Sequence, residues 1–82
     1  MNNSTELEAL WAALFPPEAQ PEAAQWRLWL TLHTPETMQA ALTQTAVKYR
    51  KLNGHMERDH ILRYASSIAN RISREKRAKL AA

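Results

Sequence analysis

The sequence predicts an all-α protein: a small single-domain four-helix arrangement with a projecting basic C-terminal helix. Three observations carry that expectation. Of 82 residues, only one is glycine and none is cysteine, while Ala, Leu, Gln, Glu, Arg and Lys are abundant, a composition rich in strong helix formers. β-Branched residues are sparse and never alternate over the length of a strand, whereas apolar residues recur at spacings of three and four. The four prolines, Pro16, Pro17, Pro21 and Pro35, fall where that periodicity stops or restarts.

A chain this short supports one modest core. Residues 1–72 are expected to form the compact helical domain, and residues 73–82 a cationic helical extension or tail of it. The first helix should begin after Asn3 or Ser4, either of which can cap exposed amides, and end near Phe15 at the Pro16-Pro17 stop. Leu7, Leu10, Trp11 and Leu14 then share one face. Pro21 suits a first helical position, so the second helix is placed at residues 21–33. It carries two apolar stripes, one of Ala23, Trp26, Trp29 and Leu30, the other of Ala24, Leu28 and Leu32. A helix apolar on both sides calls for neighbours on both sides, so this one is expected at the centre.

Thr34-Pro35-Glu36-Thr37 is the clearest helix start in the chain, with a cap, a proline in the first turn and an early acid. Met38, Leu42, Thr45, Ala46, Tyr49 and Leu52 follow the helical period until Asn53-Gly54, two residues tolerant of positive φ. The fourth helix should start near Met56 or Glu57 and reach at least Ile72. Ile61, Ala65, Ile68 and Ile72 form its core stripe, with Leu62 and Ala69 widening it. His60, Arg63, Ser67, Asn70, Arg71, Arg74 and Arg77 gather on the opposite face at 100° per residue. Beyond Ile72 the stripe continues into Lys76 and Lys79, so that end should not be buried.

Charge is divided unequally along this plan. Residues 1–47 hold one cation against five acids, a net charge of −4, and residues 48–82 hold ten cations against three acids, a net charge of +7. Such a field attracts polyanions. The expected function is therefore that of a nucleic-acid-binding regulatory or accessory protein, with DNA preferred over RNA. Phosphate contacts are assigned to Lys48, Arg50, Lys51, Arg63, Arg71, Arg74, Lys76, Arg77 and Lys79, because guanidinium forks and ammonium groups match phosphate oxygens. Ser67 and Asn70 supply neutral contacts on the same face. The alternative is an adaptor or inhibitor that docks this face on an acidic protein partner. A homodimer would align two basic helices across DNA.

Other chemistries find less support. The absence of cysteine excludes disulfides and thiolate metal sites, and with no leader-like N-terminus or long apolar run the reading is cytoplasmic, with no membrane partner. His33, His55 and His60 lack metal-ligand spacing, so neither metal nor cofactor is expected. Ser66, Ser67 and Ser73 have no evident activating base, and Glu57 and Asp59 suit a helix N-terminus better than acid/base work; no enzyme is predicted. A helix-turn-helix would require a turn inside residues 68–75, which instead read as continuous helix. Trp11, Trp26 and Trp29 are assigned to core packing, although any exposed part of the Trp26, Trp29 and Leu28 surface would mark a protein interface or homodimer rather than an enzyme pocket.

Overall fold

In a computed structural model, residues 3–81 form four α-helices and one short 3-10 turn, with no strand among them. α1 spans Asn3–Leu14, the turn Pro17–Ala19, α2 Ala23–Leu32, α3 Pro35–Lys51 and α4 Arg58–Ala81. α1 includes Asn3 and Ser4, so neither stands ahead of it as the expected cap, and the preceding position lies outside the described residues. After Phe15 the two prolines do more than end the helix. The amides of Ala19 and Gln20 return to the carbonyls of Pro16 and Pro17, making a tight turn that buries Ala19 and Pro21. Pro21 is thereby used up in the connection, and α2 starts two residues later than expected, after an extended Glu22.

α3 begins as the sequence indicates. Thr34 Oγ1 accepts the Thr37 amide at 3.2 Å and donates to Thr37 Oγ1 at 3.0 Å, while Pro35 occupies the first turn. Its end is closed by a pair of hydrogen bonds, from Gly54 N to Tyr49 O at 2.9 Å and from Asn53 N to Arg50 O at 3.0 Å, the pattern of a left-handed helix terminus. Asn53 and Gly54 have φ of 54° and 78°. A Cβ on Gly54 would also lie 3.2 Å from Tyr49 Oη.

Packing places α3, not α2, at the centre. α3 contacts α1, α2 and α4, and its contact with α4 is the most extensive in the molecule. The expectation of a central α2 is corrected for a physical reason. Only its tryptophan stripe is buried; Leu28 and Leu32 remain 53% and 59% exposed. α3 and α4 are antiparallel, since Arg71 reaches Gln44 and the later Lys76 reaches the earlier Thr37. α2 runs parallel to α4, with contacts that advance together: Gln20 to Arg58, Trp29 to Ser66, His33 to Ser73.

The core has two parts. Small and branched residues meet between α3 and α4, namely Ala41, Leu42 and Ala46 on one and Ile61, Ala65, Ile68 and Ala69 on the other, all buried. At the other side is an aromatic cluster centred on the fully buried Trp11. Its ring lies 4.4 Å from Phe15, 5.9 Å from Trp26 and 6.1 Å from Trp29, and Phe15 carries the cluster on to Tyr49 at 5.5 Å. Edge and tilted contacts of this kind add to the area effect. Trp11 Nε1 has no hydrogen-bond partner among the described residues, whereas Trp29 Nε1 donates to Ser66 Oγ at 2.9 Å.

Loss of the α3 cap in Thr34→Ala should reduce stability by about 1 kcal/mol. Gly54→Ala should cost about 1–2 kcal/mol, because alanine must hold a left-handed conformation. Urea unfolding measures both, and a Gly54→Ala midpoint equal to that of the parent would contradict the role assigned to this turn.

Candidate functional site

Helical periodicity turns the C-terminal charge into surface geometry. α4 is 24 residues long, about 36 Å at 1.5 Å per residue. Burial of Ile61, Ala65, Ile68 and Ala69 fixes which side of it faces the body. His60, Arg63, Ser67, Asn70, Arg74 and Arg77 are all exposed, and their alternating three- and four-residue spacing aligns them in one row. Ser67, Asn70, Arg74 and Arg77 line a shallow depression of about 370 Å³. Arg63 and Arg74 have no ion-pair or hydrogen-bond partner among the described residues, so their guanidinium groups stand in solvent with their charge uncompensated.

The other cations predicted for the site are distributed differently. Arg71 turns toward α3, donating to Gln44 Oε1 at 3.0 Å and lying 4.0 Å from Glu75. Lys76 points back across the bundle and donates to Thr37 Oγ1 at 2.9 Å. Lys79 is exposed beyond that contact. Lys48, Arg50 and Lys51 occupy the last turn of α3, where they complement the negative end of the helix. Because α3 and α4 are antiparallel, this trio stands beside the beginning of α4, far from Lys76 and Lys79. The predicted residues therefore divide into a row on α4, a cluster at its start, and cations at its end.

Sequence reasoning missed the inward edge of α4. Ser66 accepts the Trp29 indole, and Ser73 Oγ lies 2.7 Å from His33 Nδ1. Ser73 thus has a histidine neighbour that linear spacing did not reveal, since the two are 40 residues apart. The contact joins the end of α2 to α4. His33, Ser73, Asn70, Lys76, Arg77, Thr34, Thr37 and Leu32 together line a cleft of about 380 Å³. Burial holds the His33 imidazole below its ordinary value of 6.5; the hydrogen bond with Asn70 partly opposes this, and the Arg77 charge adds to it. A neutral ring can accept from Ser73, and its burial clasps two helices. His55 and His60 are exposed. Among the described residues no group of three His, Cys, Asp or Glu side chains could hold a metal ion, and no helix is long and apolar enough to cross a membrane.

Comparison of the chain with protein-family models, curated proteins and solved structures finds no match.

The His33 clasp predicts a pH dependence with a definite sign. A histidine whose value is lowered by folding is protonated more readily in the unfolded chain, so its contribution is complete above 6.5 and is lost as pH falls below it. His33→Gln should lose stability less steeply than the parent between neutral and mildly acidic pH. Thermal melts over that interval provide the measurement, and identical slopes would remove His33 as the cause.

Proposed function

We propose that this protein binds nucleic acid, DNA in preference to RNA, and acts as a regulatory or accessory factor that grips phosphates through the outer face of α4. One observation carries the reading: the row from Arg63 to Arg77 is exposed along its whole length, and Arg63 and Arg74 have no acidic partner among the described residues. A solvated face serving only solubility would suit interspersed charges of both signs. Here the single acid in the C-terminal half of α4, Glu75, lies beside Arg71 and off the row.

The shape of the element favours duplex DNA. The row is about 21 Å long, from 14 residues at 1.5 Å each, and it lies on a helix that the major groove of B-DNA, about 12 Å wide, can admit. The major groove of A-form RNA is too deep and narrow for such an approach. Arg63, Arg74 and Arg77 supply bidentate contacts to phosphate or guanine, and Asn70 has the donor and acceptor pair that adenine presents a match for. Lys48, Arg50 and Lys51 extend the field beside the start of α4, and Lys79 extends it at the far end. Nonspecific attraction comes from these outlying cations, orientation from the rigid row.

Duplex DNA binding should fall steeply with salt, with a logarithmic slope of about −4 if four to five phosphates are neutralised. Arg63→Glu with Arg74→Glu should weaken binding about 100-fold at low salt, while Glu6→Lys with Glu18→Lys should not weaken it. Fluorescence anisotropy with duplex DNA, single-stranded DNA and RNA measures these effects. Absence of binding at low salt, or an affinity indifferent to salt, would refute the proposal. A stoichiometric protein complex that survives nuclease treatment and is lost in the same arginine variant would instead favour an acidic protein partner for this face.

A further inference from the structure

A second surface lies next to the arginine row and differs from it in character. Ala24, Leu28 and Leu32 recur every four residues along α2 and face away from the core. The two leucines are more than half exposed, at 53% and 59%, the largest such pair on neighbouring turns of one helix. Across the seam with α4, Leu62 joins Ala24, Gln25 and Leu28 in a depression of about 320 Å³. Leu32 borders the cleft that holds His33, Ser73, Lys76 and Arg77. The two hollows follow one another along the parallel pair α2 and α4, Leu28 bordering the first and Leu32, one turn on, the second; taken together they offer a groove with an apolar beginning and a cationic end.

We propose that this groove receives an acidic amphipathic helix from a partner protein. Its leucines or equivalent apolar residues, spaced by three and four, would cover Leu28, Leu32 and Leu62, and its carboxylates would meet Lys76 and Arg77. Charge complementarity identifies the occupant. Arg58 and Glu22 border the apolar hollow, whereas Lys76 and Arg77 line the cleft at the far end, where no acid stands among the lining residues. Arg58 is paired with the Asp59 carboxylate at 3.6 Å and donates to the Gln20 carbonyl at 3.0 Å. Lys76 and Arg77 donate only to neutral oxygens, Thr37 Oγ1 at 2.9 Å and Ser73 O at 3.5 Å, and so keep their charge for an incoming carboxylate. From Leu62 to Lys76 the groove runs 14 residues of α4, about 21 Å, so a partner helix of four turns spans it. A second copy of this chain fits less well. Antiparallel pairing through the α2 leucines places the same flank of each copy together, setting α4 against α4 and cation against cation.

This surface shares Arg77 with the α4 row but does not rest on the nucleic-acid reading, and its test uses no DNA. Three labelled 16-residue peptides serve as probes: one with leucines at i, i+4 and i+7 and a glutamate-rich far end, one with those leucines replaced by glutamine, and one with the glutamates replaced by lysine. Fluorescence anisotropy with the full chain should show binding of the first peptide, and at least about tenfold weaker binding of each of the others, the loss expected from about 1.4 kcal/mol of contact energy. Leu28→Gln with Leu32→Gln should cause a similar loss, and so should Arg77→Glu, with circular dichroism confirming helical content in each variant. Arg63→Glu with Arg74→Glu should change the affinity less than Arg77→Glu, which separates this groove from attraction to the α4 row. The proposal is overturned if the leucine-free peptide binds equally well or the leucine variant binds as the parent does. Sedimentation showing a parent dimer that the leucine variant dissociates would also overturn it, by assigning the groove to a second copy.

Discussion

Close approach of α3 and α4 is the constraint on which the rest of the molecule depends. Ala41 and Ala46 on one helix and Ala65 and Ala69 on the other are buried, and small side chains let two backbones lie near each other while Leu42, Ile61 and Ile68 fill the space between. An interior so narrow leaves α4 only one way to face. Up to Ile72 its bulky apolar residues are buried or half-buried against the body, and the cations on the reverse side are left in water, because an unpaired charge cannot be buried at tolerable cost. The basic face is in that sense a consequence of the core.

Polar contacts at the edges refine the same arrangement. The indole of Trp29 on Ser66, the imidazole of His33 on Ser73, and the Lys76 ammonium on Thr37 define the rotation and axial position of α4 against α2 and α3. Directional bonds do what apolar contact alone does not, since they have a preferred angle and are lost on a slip of one residue. They also explain how the helix stays against the body after its isoleucine stripe runs out. A lysine at the position of the next core residue is accommodated because a long side chain can lie along the bundle and present its charged end to a hydroxyl.

The separation of acidic and basic halves acquires a shape only in this context. Acids concentrate on α1, the following turn and the beginnings of α2 and α3, while cations occupy the end of α3 and the outside of α4. Antiparallel packing of α3 and α4 brings the Lys48, Arg50 and Lys51 trio beside the start of the arginine row, so that positive charge extends over the full length of α4. The exposed leucines of α2 border this field without entering it. Two surfaces of different chemistry thus share one seam.

By itself the sequence determined the four helices, the proline and glycine punctuation between them, the cap at Thr34, and the members of the arginine row except Arg71, which turns to Gln44 on α3. Each of these follows from interactions between residues a few positions apart, where a 3.6-residue period and local backbone preferences suffice. What only the tertiary structure decided concerns residues far apart in the chain. The double stripe on α2 promised a central helix, yet one stripe faces solvent, since periodicity shows that a face is apolar and not whether a neighbour is long enough to cover it. Ser73 gained a histidine 40 residues away, and Lys76, exposed as expected at the continuation of the core stripe, gained a bond to Thr37, 39 residues away. Both outcomes depend on how the helices cross, and that crossing is selected by the volume and shape of all the buried side chains together.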